Sequence, residues 1–335
     1  MKQGFIKVAA ATPDIRVADV AFNTEEIIKR MREAAGNGAR IIVFPELCVT
    51  GYTCGDLFTQ DALLETAKGG LLKITEATRD LEALVFVGCP IAVDGELYNT
   101  AAALNKGMIL GFTTKTFLPN YGEFYEMRQF TPGPDVTREI AFDGKRVPFG
   151  PQILFVSRET KDLVVSAEIC EDVWSPVPPS IRAALEGALI LVNCSASDET
   201  IGKDRYREGL ISGQSARLIA GYVYANAGEG ESTTDVVFGG HNLIAENGTI
   251  LKSSGRFVNE TIYSEIDIRR LLSERRKNTT FRSALHKTLP AVFFSAKEEK
   301  TVLTREFSPA PFVPQNERER ADRCEEILMI RSEER

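Results

Sequence analysis

The fold is decided by the stretch Asp162-Leu163-Val164-Val165-Ser166-Ala167-Glu168-Ile169-Cys170-Glu171-Asp172. Its apolar run predicts a buried strand, and two adjacent acids, Glu171 and Asp172, would not be buried side by side within such a strand. We therefore expect Cys170 at the carboxyl end of a strand. A thiol is a nucleophile only as the thiolate, and the neighbouring acids oppose ionisation. A reactive Cys170 thus needs a cation and a proton-accepting carboxylate from elsewhere in the chain. The alternative is that Cys170 is unreactive and serves as a small, buried hydrophobic side chain.

Composition limits the classes of function. The chain has 335 residues and a formal charge of -7, enough for one large α/β domain or two small ones. No basic block is interleaved with aromatics, so we expect no nucleic-acid partner. The apolar N-terminal run is too short for a membrane span, and Lys7 interrupts it where a secretory signal is continuous. These features predict a cytoplasmic protein with no membrane association.

Cysteine and histidine usage narrows the chemistry further. The six cysteines contain no Cys-x-x-Cys pair, which favours a reducing compartment over a disulfide framework. The chain has only two histidines, His241 and His286, so a zinc site or a Cys-His catalyst has little to draw on. We therefore expect no metal in the site.

Two other predicted strands end in chemically useful side chains. The apolar run 41–44 predicts a short buried strand that Pro45 breaks, and Glu46 follows directly, where open α/β sheets place their sites. Antiparallel strands predicted over 97–104 and 108–112 lead to Lys115. Together with Cys170, these two residues suffice for amide hydrolysis. Glu46 would take the thiol proton, and Lys115 would stabilise the thiolate and the oxyanion.

The other predicted elements surround these strand ends. We expect a first helix capped by Asn23, and a second helix over residues 57–81 that Gly69-Gly70 interrupts. Residues 116–151 predict a long loop whose aromatic side chains favour a packed, functional segment. Beyond about Arg282 the pattern predicts an extended arm, followed by a solvated helix over the last nineteen residues, 317–335.

Three blocks resemble the signature motifs of the carbon-nitrogen hydrolase, or nitrilase, superfamily: residues 43–47, 115–119 and 168–174. Three more stretches are similar to the glutaminase domain of the glutamine-dependent NAD synthetases: residues 50–58, 119–124 and 193–197. The similarity covers about residues 4–326. It implies an α/β fold, the four-layer α-β-β-α nitrilase-like sandwich, and hydrolysis of the glutamine side chain through a cysteine thioester.

The resemblance also implies a role for individual residues. Glu46, Lys115 and Cys170 would form the catalytic triad, and the backbone N–H of Glu171 would join Lys115 in the oxyanion hole. Glu126 would be the supporting second glutamate. The implied substrate-binding residues are Tyr52, Tyr121, Glu171, Ser197 and Lys203. From the residues alone, Tyr121 and Ser197 could instead serve loop packing and helix capping.

The resemblance implies a hydrolase domain over 1–282, and an extended C-terminal arm with a truncated linker over 283–335. Full-length family members continue into an ATP-using synthetase domain that opens with a Ser-Gly-Gly-x-Asp-Ser loop, and this sequence contains no such run. We therefore expect an isolated glutaminase half or a shortened protein that cannot make NAD unaided. The glutaminase reaction would need no cofactor, since ATP and magnesium would belong to the synthetase domain. The implied partners are glutamine, that domain as ammonia acceptor, and further copies of this chain in a homo-oligomer.

Two alternatives stay open at this point. One is a free-standing nitrilase-family ω-amidase that acts on another small amide, and the other is a non-catalytic module that binds a partner. Tyr52, Tyr121 and Ser197 favour glutamine over the first, and the complete triad disfavours the second. The absence of a synthetase motif in this sequence favours both alternatives over the glutaminase half.

Overall fold

The computed structural model describes residues 3–282, 287–307, 309–310, 312–314 and 316–333. Within these residues the helices are α1 (Val20–Gly36), α2 (Asp61–Ala77), α3 (Pro179–Leu185), α4 (Lys203–Leu218), α5 (Ile268–Lys277) and α6 (Glu317–Glu333). The strands up to residue 150 are β1 (Phe5–Ala11), β2 (Ile41–Val43), β3 (Leu84–Val93), β4 (Glu96–Asn105), β5 (Met108–Thr114), β6 (Arg138–Phe142) and β7 (Lys145–Gly150). The later strands are β8 (Leu154–Ser157), β9 (Val164–Ile169), β10 (Ile190–Ser195), β11 (Gly221–Asn226), β12 (Leu243–Glu246), β13 (Thr249–Ser253), β14 (Thr261–Asp267) and β15 (Ala291–Phe294).

The described strands form two sheets. The first has eight strands in the order β14-β1-β2-β3-β4-β5-β7-β6, and the second has seven in the order β13-β12-β11-β10-β9-β8-β15. Each sheet is mixed: β2 pairs parallel with β1 and β3, and β10 pairs parallel with β9 and β11, whereas the hairpins β3–β4 and β12–β13 are antiparallel. Parallel neighbours place their carboxyl ends at the same edge, which is where the site lies.

Alternating side chains give the fold its layers. Along β1, Ile6 and Val8 belong to the core between the two sheets, whereas Ala9 belongs to the core shared with α1 and α2. In β11, Val223 joins the core between the sheets and Tyr222 joins the core under α3 and α4. Because successive strand residues point to opposite faces, each sheet buries both faces. The result is the predicted four-layer α-β-β-α sandwich.

Helix α1 begins earlier than predicted. Its N-cap is Asp19, whose side chain accepts from the Phe22 N–H at 3.1 Å. Asn23, the expected cap, is buried inside the helix and accepts from the Arg16 N–H at 2.7 Å. The cap prediction was wrong because Asn23 makes long-range hydrogen bonds, which a local pattern does not reveal.

The prediction of the second helix was also wrong, both about where the helix begins and about its interruption. Residues Tyr52–Thr59 form a 3-10 helix, and α2 runs through the glycine pair without a break. A Cβ on Gly70 would lie 2.6 Å from Thr24 Oγ1. The glycine therefore lets α1 and α2 pack closely, which compensates for its poor helix propensity.

Two later segments also differ from the sequence predictions. The end of the predicted loop over 116–151 contains the hairpin β6–β7, which pairs with β5. The predicted arm contributes β15, which pairs parallel with β8. The chain divides into two compact units, one up to Leu303 and the other from Thr304 onward, and the second unit includes the exposed helix α6. The predicted boundary between 282 and 283 stays a prediction. None of the described helices is long and apolar enough to span a membrane.

Candidate active site

Three strand ends bring the predicted triad together. Glu46 follows β2 after two residues, Lys115 follows β5 directly, and Cys170 follows β9 directly. Strands β2 and β5 lie in the first sheet and β9 lies in the second. The candidate site is therefore assembled across the two stacked sheets, and the placement of Cys170 at a strand end is confirmed.

The backbone around Glu46 lies against β3 at Gly88. A Cβ on Gly88 would lie 2.2 Å from the Leu47 nitrogen and 2.4 Å from the Pro45 carbonyl oxygen. No other residue fits at this distance, because ordinary Cβ contacts are longer than 3.0 Å. Glycine at position 88 is thus what allows the glutamate to approach the sheet.

Glu46 is completely buried and fully engaged in hydrogen bonds. Its Oε1 accepts from Lys115 Nζ and from Asn99 Nδ2, both at 2.6 Å. Its Oε2 accepts from the Ala196 N–H at 2.9 Å. A buried carboxylate is stable only when it is paired and hydrogen-bonded in this way. The glutamate is therefore held rigidly beside the lysine.

Lys115 also bonds to the predicted second glutamate. Its Nζ donates to Glu126 Oε1 at 2.6 Å, and the Tyr52 hydroxyl donates to the same oxygen at 2.7 Å. Burial alone would lower the pKa of Lys115, but the Glu126 and Glu46 carboxylates outweigh it and hold that pKa well above its ordinary value. Burial raises the pKa of Glu126 to about 7, against the opposing charge of Lys115. The lysine is therefore a permanent cation at the centre of the cluster.

The Cys170 backbone adopts the left-handed conformation, with φ of +40°. The residue begins the 3-10 helix Cys170–Trp174, and only 6% of its surface is exposed. Its N–H donates to Asn193 Oδ1 at 2.9 Å, so this donor is already used. The N–H of Glu171 is then the candidate oxyanion donor of the turn. A strained backbone at a nucleophile is typical of active sites.

The resting thiol is protonated at neutral pH. Burial and the nearby Glu46 carboxylate raise the pKa of Cys170, and Lys115 opposes them. Since the thiolate is the nucleophile, the reaction needs a base that removes the proton as attack occurs. Glu46 and Lys115 both lie close enough to influence the pKa of the thiol, so they are the candidate base and the candidate cation.

Two of the predicted substrate-binding residues, Tyr121 and Glu171, lie near the thiol, and a third, Lys203, lies near Glu171. The Tyr121 hydroxyl donates to Glu171 Oε1 at 2.7 Å, although 61% of Tyr121 is exposed. Lys203 forms an ion pair with Asp198, and its Nζ lies 5.6 Å from the Trp174 ring centroid. Burial raises the pKa of Glu171, and the charge of Lys203 is among the influences that oppose it. An anionic group thus adjoins Cys170, and a cationic group lies close to that anionic group.

The other two predicted substrate-binding residues are engaged with protein groups. Tyr52 bonds to Glu126, as described above, and therefore supports the second glutamate. Ser197 Oγ accepts from the buried Arg207 guanidinium at 3.3 Å, and the Ser197 N–H donates to Asn226 Oδ1 at 2.8 Å. The serine hydroxyl can still donate a hydrogen bond, since it is an acceptor in the Arg207 contact.

A cavity of about 250 Å³ opens beside Tyr52 and Glu126. Its wall combines aromatic rings with acidic and hydroxyl side chains, including Phe58, Phe124, Phe130, Asp235 and Thr234. The buried Oε2 of Glu126 has no hydrogen-bond partner among the described residues. The site therefore continues into a small, partly apolar space on the side of the supporting glutamate.

Within the described part of the chain, no group of three or more histidine, cysteine, aspartate or glutamate residues could hold a metal ion. The buried Lys115 ammonium occupies the centre of the acidic cluster and compensates it.

Comparison with known proteins identifies the family. The carbon-nitrogen hydrolase profile matches residues 7–276. The chain belongs to the carbon-nitrogen hydrolase family. This confirms the resemblance drawn from the sequence motifs.

The curated relatives of this hydrolase are longer proteins. The glutamine-dependent NAD(+) synthetase of Mycobacterium leprae is 39% identical over 338 residues, which cover 98% of this chain and 50% of that protein. The synthetase of Thermotoga maritima is 31% identical, over 78% of this chain and 42% of that protein. The hydrolase thus spans about half the length of the curated relatives it matches.

Solved structures support the same architecture. A glutamine-dependent NAD(+) synthetase from Cytophaga hutchinsonii superposes with a TM-score of 0.70 at 33% identity, over 78% of this chain and 43% of that chain. An amidase from Nesterenkonia gives a TM-score of 0.62 at 21% identity, over 83% of this chain and 96% of that chain. The second similarity shows the fold alone.

The hydrolase site also depends on buried polar residues that the sequence analysis did not single out. Asn99 holds Glu46, Asn193 holds the Cys170 backbone, and Asp172 accepts three backbone N–H groups around the site. Glu231 accepts from the Tyr52 N–H at 2.7 Å. Asn193 interrupts the apolar run 188–192, and a polar residue in such a buried strand was the signal that could have found it.

Proposed function

We propose that this chain hydrolyses the side-chain amide of glutamine and supplies the ammonia to a synthetase domain. The observation that carries the proposal is the charge arrangement at the turn of Cys170, where Glu171 adjoins the nucleophile and Lys203, paired with Asp198, lies close enough to Glu171 to lower its pKa. Glutamine has an α-ammonium and an α-carboxylate at one end and the amide at the other. Glu171 with Tyr121 suits the ammonium, and Lys203 with the Ser197 hydroxyl suits the carboxylate. The names of the relatives support the same substrate.

The first half of the reaction forms a thioester. Glu46 takes the thiol proton as Cys170 Sγ attacks the amide carbon, and the carbonyl oxygen becomes an oxyanion. Lys115 and the Glu171 N–H stabilise that oxyanion. Glu46 then gives the proton to the amide nitrogen, the C–N bond breaks, and ammonia leaves.

The second half releases glutamate. Glu46, free of its proton again, removes one from a water that attacks the thioester carbon. The same oxyanion donors stabilise the second tetrahedral intermediate. The C–S bond then breaks, the thiolate recovers the proton from Glu46, and the new carboxylic acid loses its remaining proton to solvent as glutamate departs. Glu126 and Tyr52 act throughout by fixing Lys115, since Lys115 and Tyr52 contact the same Glu126 carboxylate oxygen at 2.6 and 2.7 Å.

We also propose which cofactors, compartment and assembly the reaction needs. Hydrolysis of glutamine uses only the side chains named above and water, so it requires no cofactor. ATP and magnesium would serve a synthetase domain. We place the reaction in the cytoplasm, in a homo-oligomer.

The test is ammonia release from glutamine, compared with asparagine, α-ketoglutaramate and propionamide. We expect kcat/KM for glutamine to exceed that for propionamide by at least about a hundredfold, because propionamide lacks both charged groups. Cys170→Ala is the control and should release no ammonia. A preference for α-ketoglutaramate would favour the ω-amidase.

A second experiment tests the coupling to a synthetase domain. The exposed Tyr121 lies in the segment between β5 and β6 that carries Glu126, and we propose that a partner domain closes this segment over the site. The isolated chain should then hydrolyse glutamine slowly. Adding a separately expressed synthetase domain of a curated relative, with ATP and deamido-NAD, should raise the rate. An isolated chain that already runs at full rate, with no response to the addition, would contradict the coupling.

A further inference from the structure

Asp172 is a buried carboxylate that the reaction above does not use. None of its surface is exposed, and its three hydrogen bonds all come from backbone N–H groups. Oδ2 accepts from the Ile169 N–H at 2.9 Å. Oδ1 accepts from the Thr116 N–H at 3.0 Å and from the Phe117 N–H at 2.9 Å. Burial raises the pKa of Asp172 to about 8, and the backbone N–H groups of Ile169 and Phe117 oppose that rise because they stabilise the ionised form.

The positions of these donors connect two catalytic residues. Ile169 ends β9 in the second sheet and directly precedes Cys170. Thr116 and Phe117 directly follow Lys115 at the end of β5 in the first sheet. One carboxylate therefore joins the turn that carries the nucleophile to the segment that carries the cation.

The backbone of Lys115 is held on its other side by the first sheet. Its N–H donates to the Asn99 carbonyl at 2.9 Å, and its carbonyl accepts from the Gly133 N–H at 2.8 Å. These bonds fix Lys115 relative to its own sheet. The Lys115 side chain makes its own contacts with Glu46 and Glu126. The backbone next to Lys115 is connected to the backbone next to Cys170 through the Asp172 carboxylate.

We propose that Asp172 is a positioning residue that sets the distance between the Lys115 ammonium and the Cys170 thiol. The inference rests on the proposed function for its catalytic meaning, but its geometry is independent of the substrate. Asparagine cannot replace it. An amide offers one acceptor oxygen, so an asparagine side chain at this position would direct its NH2 donor at either the Ile169 N–H or the Thr116 and Phe117 N–H groups.

The test measures the reactivity of the thiol toward iodoacetamide, which requires no turnover. Peptide mass spectrometry would give the alkylation rate of Cys170 in four proteins: wild type, Asp172→Asn, Lys115→Met and the double variant. The Lys115 charge favours the thiolate, so Lys115→Met slows alkylation. We expect Asp172→Asn to slow the alkylation of Cys170 about tenfold or more when Lys115 is present. In the Lys115→Met background, the same substitution should slow alkylation less than about threefold. Equal factors in the two backgrounds would overturn the proposal.

Glutamine turnover gives a second readout. We expect Asp172→Asn to lower kcat about tenfold to a hundredfold and to leave KM within about threefold, since the change misplaces the oxyanion donor and leaves the groups that bind glutamine in place. The matched control is Glu186→Gln. Glu186 is another buried carboxylate, and its Oε2 accepts from the Thr288 and Leu289 N–H groups, both at 2.8 Å. The control should change the melting temperature but not the alkylation rate.

A further variant covers the case in which Asp172→Asn does not fold. Phe117→Pro removes one N–H donor on the lysine side and leaves the carboxylate intact, at a side chain that is 40% exposed. Once circular dichroism shows it folded, it should slow alkylation in the same Lys115-dependent way, and a wild-type rate would overturn the proposal. Failure of the proposed function looks different, because the wild-type chain would then release no ammonia from glutamine, whereas the Lys115-dependent effect of Asp172→Asn on alkylation would remain.

Discussion

Replacing Gly88 by alanine is the most direct test of how Glu46 is positioned. The new Cβ would lie 2.2 Å from the Leu47 nitrogen, and contacts under 3.0 Å do not occur, so the backbone must move by at least 0.8 Å. The atoms to be displaced belong to the backbone of Pro45, Glu46 and Leu47, and therefore the glutamate moves with them. A misplacement of about 1 Å can lower a rate about a hundredfold. We expect Gly88→Ala to lower kcat for glutamine by about that factor.

The same substitution should also lower stability. Overpacking a buried position typically costs about 1–3 kcal/mol, so the melting temperature should fall while the protein stays folded. The assay is ammonia release at saturating glutamine, with thermal unfolding followed by circular dichroism. Gly69→Ala is the matched control, because its Cβ meets nothing within 4 Å in α2. It should keep full activity and gain about 1 kcal/mol from helix propensity. A folded Gly88→Ala protein with kcat within about threefold of wild type would refute the reasoning.

Three further predictions concern the chemistry of the site. A glutamine-like chloroketone should label Cys170, as peptide mapping would show, and labelling of Cys48, Cys54 or Cys194 instead would contradict the assignment. Lys115→Ala and Glu46→Gln should each lower turnover by about two to three decades or more while circular dichroism shows a folded protein; near-normal activity in either would mean that the triad is wrong. Because burial raises the pKa of Glu126 to about 7, the folded protein binds this proton more tightly than the unfolded chain. The stability contributed by this group is therefore lost as pH rises from about 4.5 to about 7, and Glu126→Gln should flatten the melting temperature across that window.

The strand ends could be predicted from the sequence because their signals are local. An apolar run that stops at a proline or at paired acids predicts where a strand ends, whatever the rest of the chain does. Glu46 and Cys170 stand at such stops, and Lys115 follows a predicted antiparallel strand, so the position of each at a strand end could be predicted, but not that the three meet in space. The four-layer arrangement was predicted from the family resemblance, and the alternating burial in β1 and β11 agrees with that prediction.

The contacts by which buried polar residues hold the triad could not be predicted, because the partners are distant in sequence. Asn99 bonds to a residue 53 positions away, and Asp172 reaches Thr116 across 56 positions. The start of α1 was missed for the same reason, since Asn23 bonds to Arg16 and to Val49. In the sequence alone, such side chains cannot be told from helix caps or loop residues, because their hydrogen-bond partners are not visible.

The division of the triad between two sheets has a practical consequence for protein engineering. A cut at residue 151, between β7 and β8, would leave Glu46 and Lys115 on one polypeptide and Cys170 on the other. Neither piece alone would carry a complete set of reacting groups. The second piece would also carry β14, which pairs with β1 from Phe5 opposite Asp267 to Ala11 opposite Thr261, so it would donate an edge strand to the first. Ammonia release from such a split hydrolase would then act as a reporter of fragment association, with each half silent by itself.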